Sequence, residues 1–257
     1  MPEIHPTAIV DPKAELADDV HVGPFSIIEP DVVVDAGTRI DSQVLIASGA
    51  RIGRACRIHH GAVISTIPQD LKFGGEKTTL EIGDHTVIRE FCDLNRGTED
   101  RGKTVIGSQV FLMAYTHIAH DCLIGDHVII ANGVQLAGHV TIQDWVIIGG
   151  LTPVHQFCTI GQHTFIGGGY RVTQDVPPYI LAAGEPLTYK GLNVVGLKRR
   201  GFEKEALAAL RKCYRYLYRA RLNTSQALEA IHAEVPMLPE VKNVITFIQD
   251  NARGIIR

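Results

Sequence analysis

The chain has 257 residues, 45% hydrophobic and 21% charged, with a formal net charge of -3. That length can bury a sizeable core in one large domain, or a large domain with a small appendage, and the charge excludes the basic footprint of a wholesale nucleic-acid binder. The opening MPEIHPTAIVDPKAELADD lacks the basic segment and apolar run of a signal peptide, and no stretch is apolar for the width of a bilayer; a cytoplasmic protein without membrane insertion is expected.

From the amino terminus an aliphatic residue recurs every sixth position. The register begins at Ile4, Val10 and Leu16 and reaches Ile64, resumes at Ile82, Ile88 and Leu94, and runs from Ile106 to Val172 without a miss. Gly, Asp and Asn punctuate short segments rich in Val, Ile and Thr, which favours strands over helices. A hexapeptide repeat indicates a β-helix, and in the triangular version roughly eighteen residues make one coil. Cys56, Cys92, Cys122 and Cys158 stand four places after a repeat aliphatic, where small residues are usual, and read as reduced packing residues.

Two interruptions, near 65–81 and 95–105, read as loops projecting from the prism. Gln69, Asp70 and Lys72 form a compact polar cluster in the first, whereas for 99–104 in the second an ornamental loop stays an open reading. Pro177 and Pro178 are expected to end strand pairing soon after Val172, giving a β-helical domain over 1–180 and a helical domain over 181–257. Helical spacing is expected around 191–200, 202–219, 225–235 and 239–250, with starts at Ser225 and Pro239. Lys198, Arg199 and Arg200, followed by Arg211, Lys212, Arg215, Arg219 and Arg221, form either a solvated face or a landing patch for an acidic or phosphate-bearing partner.

The coil spacing places His120, Gly138 and Gln156 in one column and Asp121, His139 and Phe157 in the next. His120 then has a carboxylate neighbour, and the missing side chain at Gly138 leaves room for a substrate beside the imidazole and an open backbone N–H for an oxyanion. A histidine tuned by a carboxylate can take a proton from an alcohol, which suits acyl transfer. A zinc site built from His117, His120, His139 and His155 is the competing reading; the adjacent Asp121 fits an orienting carboxylate better. Other outward histidines, among them His21, His127 and His163, read as ordinary surface residues.

With IAHD at 118–121, HQF at 155–157, DVPPY at 175–179 and GLKRRGF at 196–202, the chain resembles the UDP-N-acetylglucosamine acyltransferases over essentially its whole length. The resemblance implies a left-handed parallel β-helix with a C-terminal α-helical domain, and a homotrimer with sites between subunits. It also implies transfer of an R-3-hydroxyacyl chain from acyl carrier protein to the 3-position of the UDP-sugar, opening lipid A biosynthesis. No cofactor or metal is implied, the donor being carried on phosphopantetheine. By the same resemblance His120 is the general base, Asp121 orients it and Gly138 supports the oxyanion. Gln69, Asp70, Lys72, His117, His139, His155 and Gln156 are implied to meet the sugar nucleotide or acyl phosphopantetheine, and Asn193, Arg199 and Arg200 the uridine and phosphates. Gly168 stands where acyl length is limited, and without a side chain it predicts a long chain. Asn95 in LNRGT, where many members have histidine, and Val195, in place of an acidic residue, leave open a 3-amino acceptor and an amide product.

Overall fold

The computed structural model describes residues 1–250 and 254–257. Among them, the six-residue rhythm winds the chain into a prism of three sheets with eleven, eight and eight strands. Most strands are two residues long and pair in parallel with the strand one coil onward, as Phe111↔Ile129 and His117↔Gln135 do. The repeat aliphatics point inward: Ile46, Ile64, Ile88, Ile118, Ile130 and Ile148 are all fully buried. Each such residue contributes about 1.5–3 kcal/mol by leaving water, which lets strands too short to be stable alone stack into one core. The four repeat cysteines are buried thiols outside any disulfide, and burial pushes the Cys122 thiol up to about 12.

Aspartates zip one coil to the next. The Asp126 carboxylate accepts the Ser108 N–H at 2.6 Å, and Asp144 accepts the Asp126 N–H at 2.9 Å. A Cβ at Gly125 would sit 2.2 Å from Asp144 Oδ1, so the Gly-Asp pair is a steric unit. Between strands the chain turns through a residue of positive φ, as at Tyr115, Asp121, His139, Trp145, Phe157 and His163. These corner side chains stand outside the aliphatic core, where the repeat carries no packing duty.

Both interruptions are present, although strand structure reaches into each. The strands Val63–Thr66 and Thr79–Ile82 flank the first, and Asp93–Asn95 and Lys103–Ile106 flank the second.

Beyond Val172 the winding continues, contrary to the reading of Pro177 and Pro178 as its end. Val172 bridges Val154, Val176 bridges Ile160, and Ile180–Ala183 pairs in parallel with Phe165–Ile166 before turning back antiparallel onto Thr188–Leu192. The prolines fall at a corner where their carbonyls are used instead: Pro177 O accepts from Thr164 Oγ1 and Pro178 O from Tyr214. The strand through Leu192 occupies the first part of the segment expected to be helical at 191–200.

Among the described residues four helices follow: α1 (Val194–Arg199), α2 (Lys204–Arg219), α3 (Thr224–Glu234) and α4 (Pro239–Gln249). Asn223 rather than Ser225 starts α3, through a reciprocal capping box with Gln226. Pro239 opens α4 as expected. None of the described helices is long and apolar enough to cross a membrane.

Candidate functional site

One corner of the prism carries chemistry. Asp121 adopts φ 59°, a left-handed conformation that aspartate tolerates, and this turns its carboxylate back toward the preceding imidazole. His120 Nδ1 lies 2.8 Å from Asp121 Oδ2, with side-chain exposures of 14% and 0%. A carboxylate only accepts, so Nδ1 is the donor, which in the neutral ring leaves the lone pair on Nε2. Burial alone would raise the Asp121 carboxyl, yet hydrogen bonds from Thr98 and His120 and the nearby His139 outweigh it and hold the group below the usual carboxylate range.

The eighteen-residue columns are as expected. His139 N–H donates to His120 O, and Phe157 N–H to Gly138 O. The reason for glycine at 138 differs from the expectation, because the vacant space belongs to the imidazole itself. A Cβ there would meet His120 Cε1 at 2.7 Å and Nε2 at 2.8 Å. Among the described residues the Gly138 N–H donates to no backbone carbonyl.

His139 stands edge-on to His120 at 5.2 Å between ring centroids and stacks on Phe157 at 4.5 Å. Its nitrogens face two carboxylates, Asp121 at 3.7 Å and Asp100 at 3.3 Å. Burial lowers the pKa of this imidazole, so it stays neutral near pH 7. His139 and Phe157 share a cleft of about 390 Å³ with Asp70, Lys72, Phe73 and Asp100. Gln69 and His117 face a different recess, of about 260 Å³, beside Phe91, Asp93 and Tyr115. His117 Nδ1 lies 3.0 Å from Asp93 Oδ2, a second imidazole–carboxylate pair that the sequence reading did not identify. His155 and Gln156 are exposed, and His155 Nδ1 contacts the Gln156 carbonyl.

The remaining candidates are bound to other elements. Asn193 caps α1, accepting from the Gly196 N–H, and donates to His163 O. Arg199 is exposed at the end of that helix, while the Arg200 guanidinium lies over the Trp145 ring at 5.1 Å. His163, read as a surface residue, stacks between Trp145 and Tyr179, and burial drives its pKa down to about 4. Gly168 is exposed; a Cβ there would sit 3.0 Å from Gly150 O, so close backbone approach also favours glycine. Asn95 is buried and donates to Thr66 Oγ1, which puts this departure beneath the surface.

The second loop is not ornament. Thr98, Asp100 and Arg101 all reach the corner, and the sequence concealed them because they belong to no hexad. Among the described residues, His120, Asp121 and His139 bring potential ligand atoms within 4.8 Å of one another and are those that could hold a metal. Of the other two zinc candidates, His117 is paired with Asp93 and His155 is exposed. Both Asp121 oxygens already accept hydrogen bonds, so an ion would have to displace them.

The chain matches a family model described as UDP-N-acetylglucosamine O-acyltransferase, domain 2, over residues 175–256, and a bacterial transferase hexapeptide model over 103–138. It is 47% identical over 258 residues to an acyl-[acyl-carrier-protein]–UDP-N-acetylglucosamine O-acyltransferase of Thiobacillus denitrificans, covering 100% of both chains. A relative of the same description from Chlorobaculum parvum is 51% identical over 255 residues, or 99% of this chain and 97% of that one. Among solved structures, a UDP-N-acetylglucosamine acyltransferase from Bacteroides fragilis superposes with a TM-score of 0.98 at 44% identity, covering 99% and 100% of the two chains.

Proposed function

The chain belongs to the acyl-[acyl-carrier-protein]–UDP-N-acetylglucosamine O-acyltransferase family, and from that premise we propose that its open corner transfers an R-3-hydroxyacyl chain to the sugar's 3-hydroxyl with His120 as the base. The observation that carries this reading is the His120–Asp121 pair at 2.8 Å, set against the side-chain-free backbone of Gly138. His120 Nε2 takes the hydroxyl proton as the oxygen attacks the thioester carbonyl carbon. Asp121 steadies the imidazolium that results. The Gly138 N–H donates to the tetrahedral oxyanion. When the intermediate collapses, the carbon–sulfur bond breaks and the imidazolium returns its proton to the phosphopantetheine thiolate.

Asp70 and Lys72 share the cleft with His139 and would meet the sugar or the pantetheine arm there. Gln156 follows Gly138 by one coil, and His155 lies beside it. His117 and Gln69 face the neighbouring recess. Arg199 at the exposed end of α1 suits a phosphate, whereas Asn193 and Arg200 act on the nucleotide through the helix they fix. Gly168 leaves its part of the groove without a side chain, in keeping with a long acyl chain.

Docking of the acidic acyl carrier protein is supported by Arg211, Arg215 and Arg219, which line a recess of about 310 Å³ with Tyr189 and Leu192. A homotrimer is supported by Phe25, Phe91, Tyr115 and Leu151, which leave a line of exposed apolar side chains along another corner. Sedimentation of the purified chain checks it, with a trimer expected and a monomer contrary.

The His120→Ala variant, assayed for hydroxyacyl transfer to UDP-N-acetylglucosamine, tests the mechanism. A rate lower by about a hundred- to ten-thousand-fold is expected, and a near wild-type rate would overturn it. The same assay with the 3-amino sugar nucleotide tests the acceptor: the hydroxyl substrate is expected to be used at least as well, and preference for the amine would reassign the product as an amide.

A further inference from the structure

Every polar atom of Asp121 has a partner, and the partners converge from one short segment. Thr98 N–H donates to Oδ1 at 3.0 Å, and the Thr98 hydroxyl to Oδ2 at 2.6 Å. Arg101 Nη1 donates to the Asp121 carbonyl at 2.7 Å, and Thr104 Oγ1 accepts the Asp121 N–H at 2.8 Å. His120 takes the remaining approach to Oδ2. Thr98 is itself nearly buried, at 9% exposure.

We propose that Thr98 and Arg101 are positioning residues, which hold Asp121 in its left-handed turn so that one carboxylate oxygen stays aligned with His120 Nδ1. The inference rests on the reading of His120 as the base. Its physical need is plain. A carboxylate fully removed from water and carried on a positive-φ backbone loses alignment unless both ends of the residue are fixed. Among the described residues the neighbouring hexads supply Thr104 and His120 itself; the loop spanning 96–102 supplies the other three contacts. The insertion interrupts the repeat at the coil where the base needs an outside support, and its backbone N–H, hydroxyl and guanidinium together meet the two ends of one residue.

Thr98→Val keeps the volume and the backbone bond while deleting the hydroxyl; Arg101→Met deletes the guanidinium. Each is combined with Asp121→Ala in a double-mutant cycle, with kcat and KM for hydroxyacyl transfer and the melting transition measured throughout. Thr98→Val is expected to lower kcat by about ten- to a hundred-fold with KM changed less than about two-fold, and Thr98→Ser to stay within about three-fold of wild type. In the Asp121→Ala background neither loop substitution should lower kcat further. A wild-type rate in Thr98→Val, or full multiplication of the two losses in the double variants, overturns the proposal. Should Thr98→Val fail to fold, the Arg101→Met cycle decides by the same criterion. His120→Ala separates the two levels: if it retains activity, the reading of the base fails. If it loses activity while the cycles multiply, only the positioning role fails.

Discussion

Two corners of the prism use the same repeat position and meet opposite fates. Trp145, His163 and Tyr179 at one, and Asp121, His139 and Phe157 at the other, all turn the chain with positive φ in successive coils. Arg200 and Phe202 cover the first, and its His163 is an aromatic spacer that burial keeps neutral. Loops rather than helices flank the second, and there His120 has a carboxylate at Nδ1 and stands edge-on to His139, which lines the cleft. The difference teaches that corner geometry makes no histidine a base. The partner at the far nitrogen and the opening at the near one do that.

The largest effect should come from reversing the polarity of the open corner. In Asp121→Asn the amide can donate to His120 Nδ1, which forces the ring hydrogen onto Nε2 and removes the base. The transfer rate is expected to fall by about a hundred- to ten-thousand-fold, and an unchanged kcat would show that the carboxylate is incidental. Next in size, Gly138→Ala puts a methyl where the His120 ring lies, at 2.7 Å from Cε1. Tilting the ring should cost about ten- to a hundred-fold in kcat, and a rate within about two-fold of wild type would mean the ring's position is not critical.

At the covered corner the expected effect falls on stability. His163 is held near 4 in the folded protein against about 6.5 when unfolded. Between those values the unfolded chain binds more protons, so stability is lost as pH falls from about 6.5 toward 4, by about 2 kcal/mol at pH 4.5. Urea denaturation at pH 7 and 4.5 checks this: His163→Phe should flatten the difference while leaving transfer activity intact, and an unaltered pH dependence would contradict it. The smallest effect is expected from Asp100→Asn, whose carboxylate is 69% exposed beside His139. Solvent screens such a pair, so kcat should change by less than about three-fold; a larger loss would extend the support of the base to His139.

The regular parts of the molecule were legible because each hexad repeats one steric demand. Ile118 and Leu136 had to point inward, and once they did, His120 and Gly138 had to be neighbours. The helical end was legible in type, less so in its limits: Asn223 took the capping role assigned to Ser225, and the strand to Leu192 used residues that looked helical. Hidden from sequence was whatever depends on a loop reaching across coils. Nothing in the spacing of Thr98 or Arg101 announces Asp121, and nothing at Arg200 announces Trp145. Asp93 and His117 lie 24 positions apart because the insertion lengthens that coil, so an eighteen-residue rule could not pair them.

The most direct measurement is nitrogen NMR of the imidazoles in protein carrying labelled histidine, with the His120 signals assigned by their loss in His120→Gln. In the neutral ring the hydrogen is expected on Nδ1, facing Asp121, with a bare Nε2. A neutral ring carrying its hydrogen on Nε2 would contradict His120 as the base.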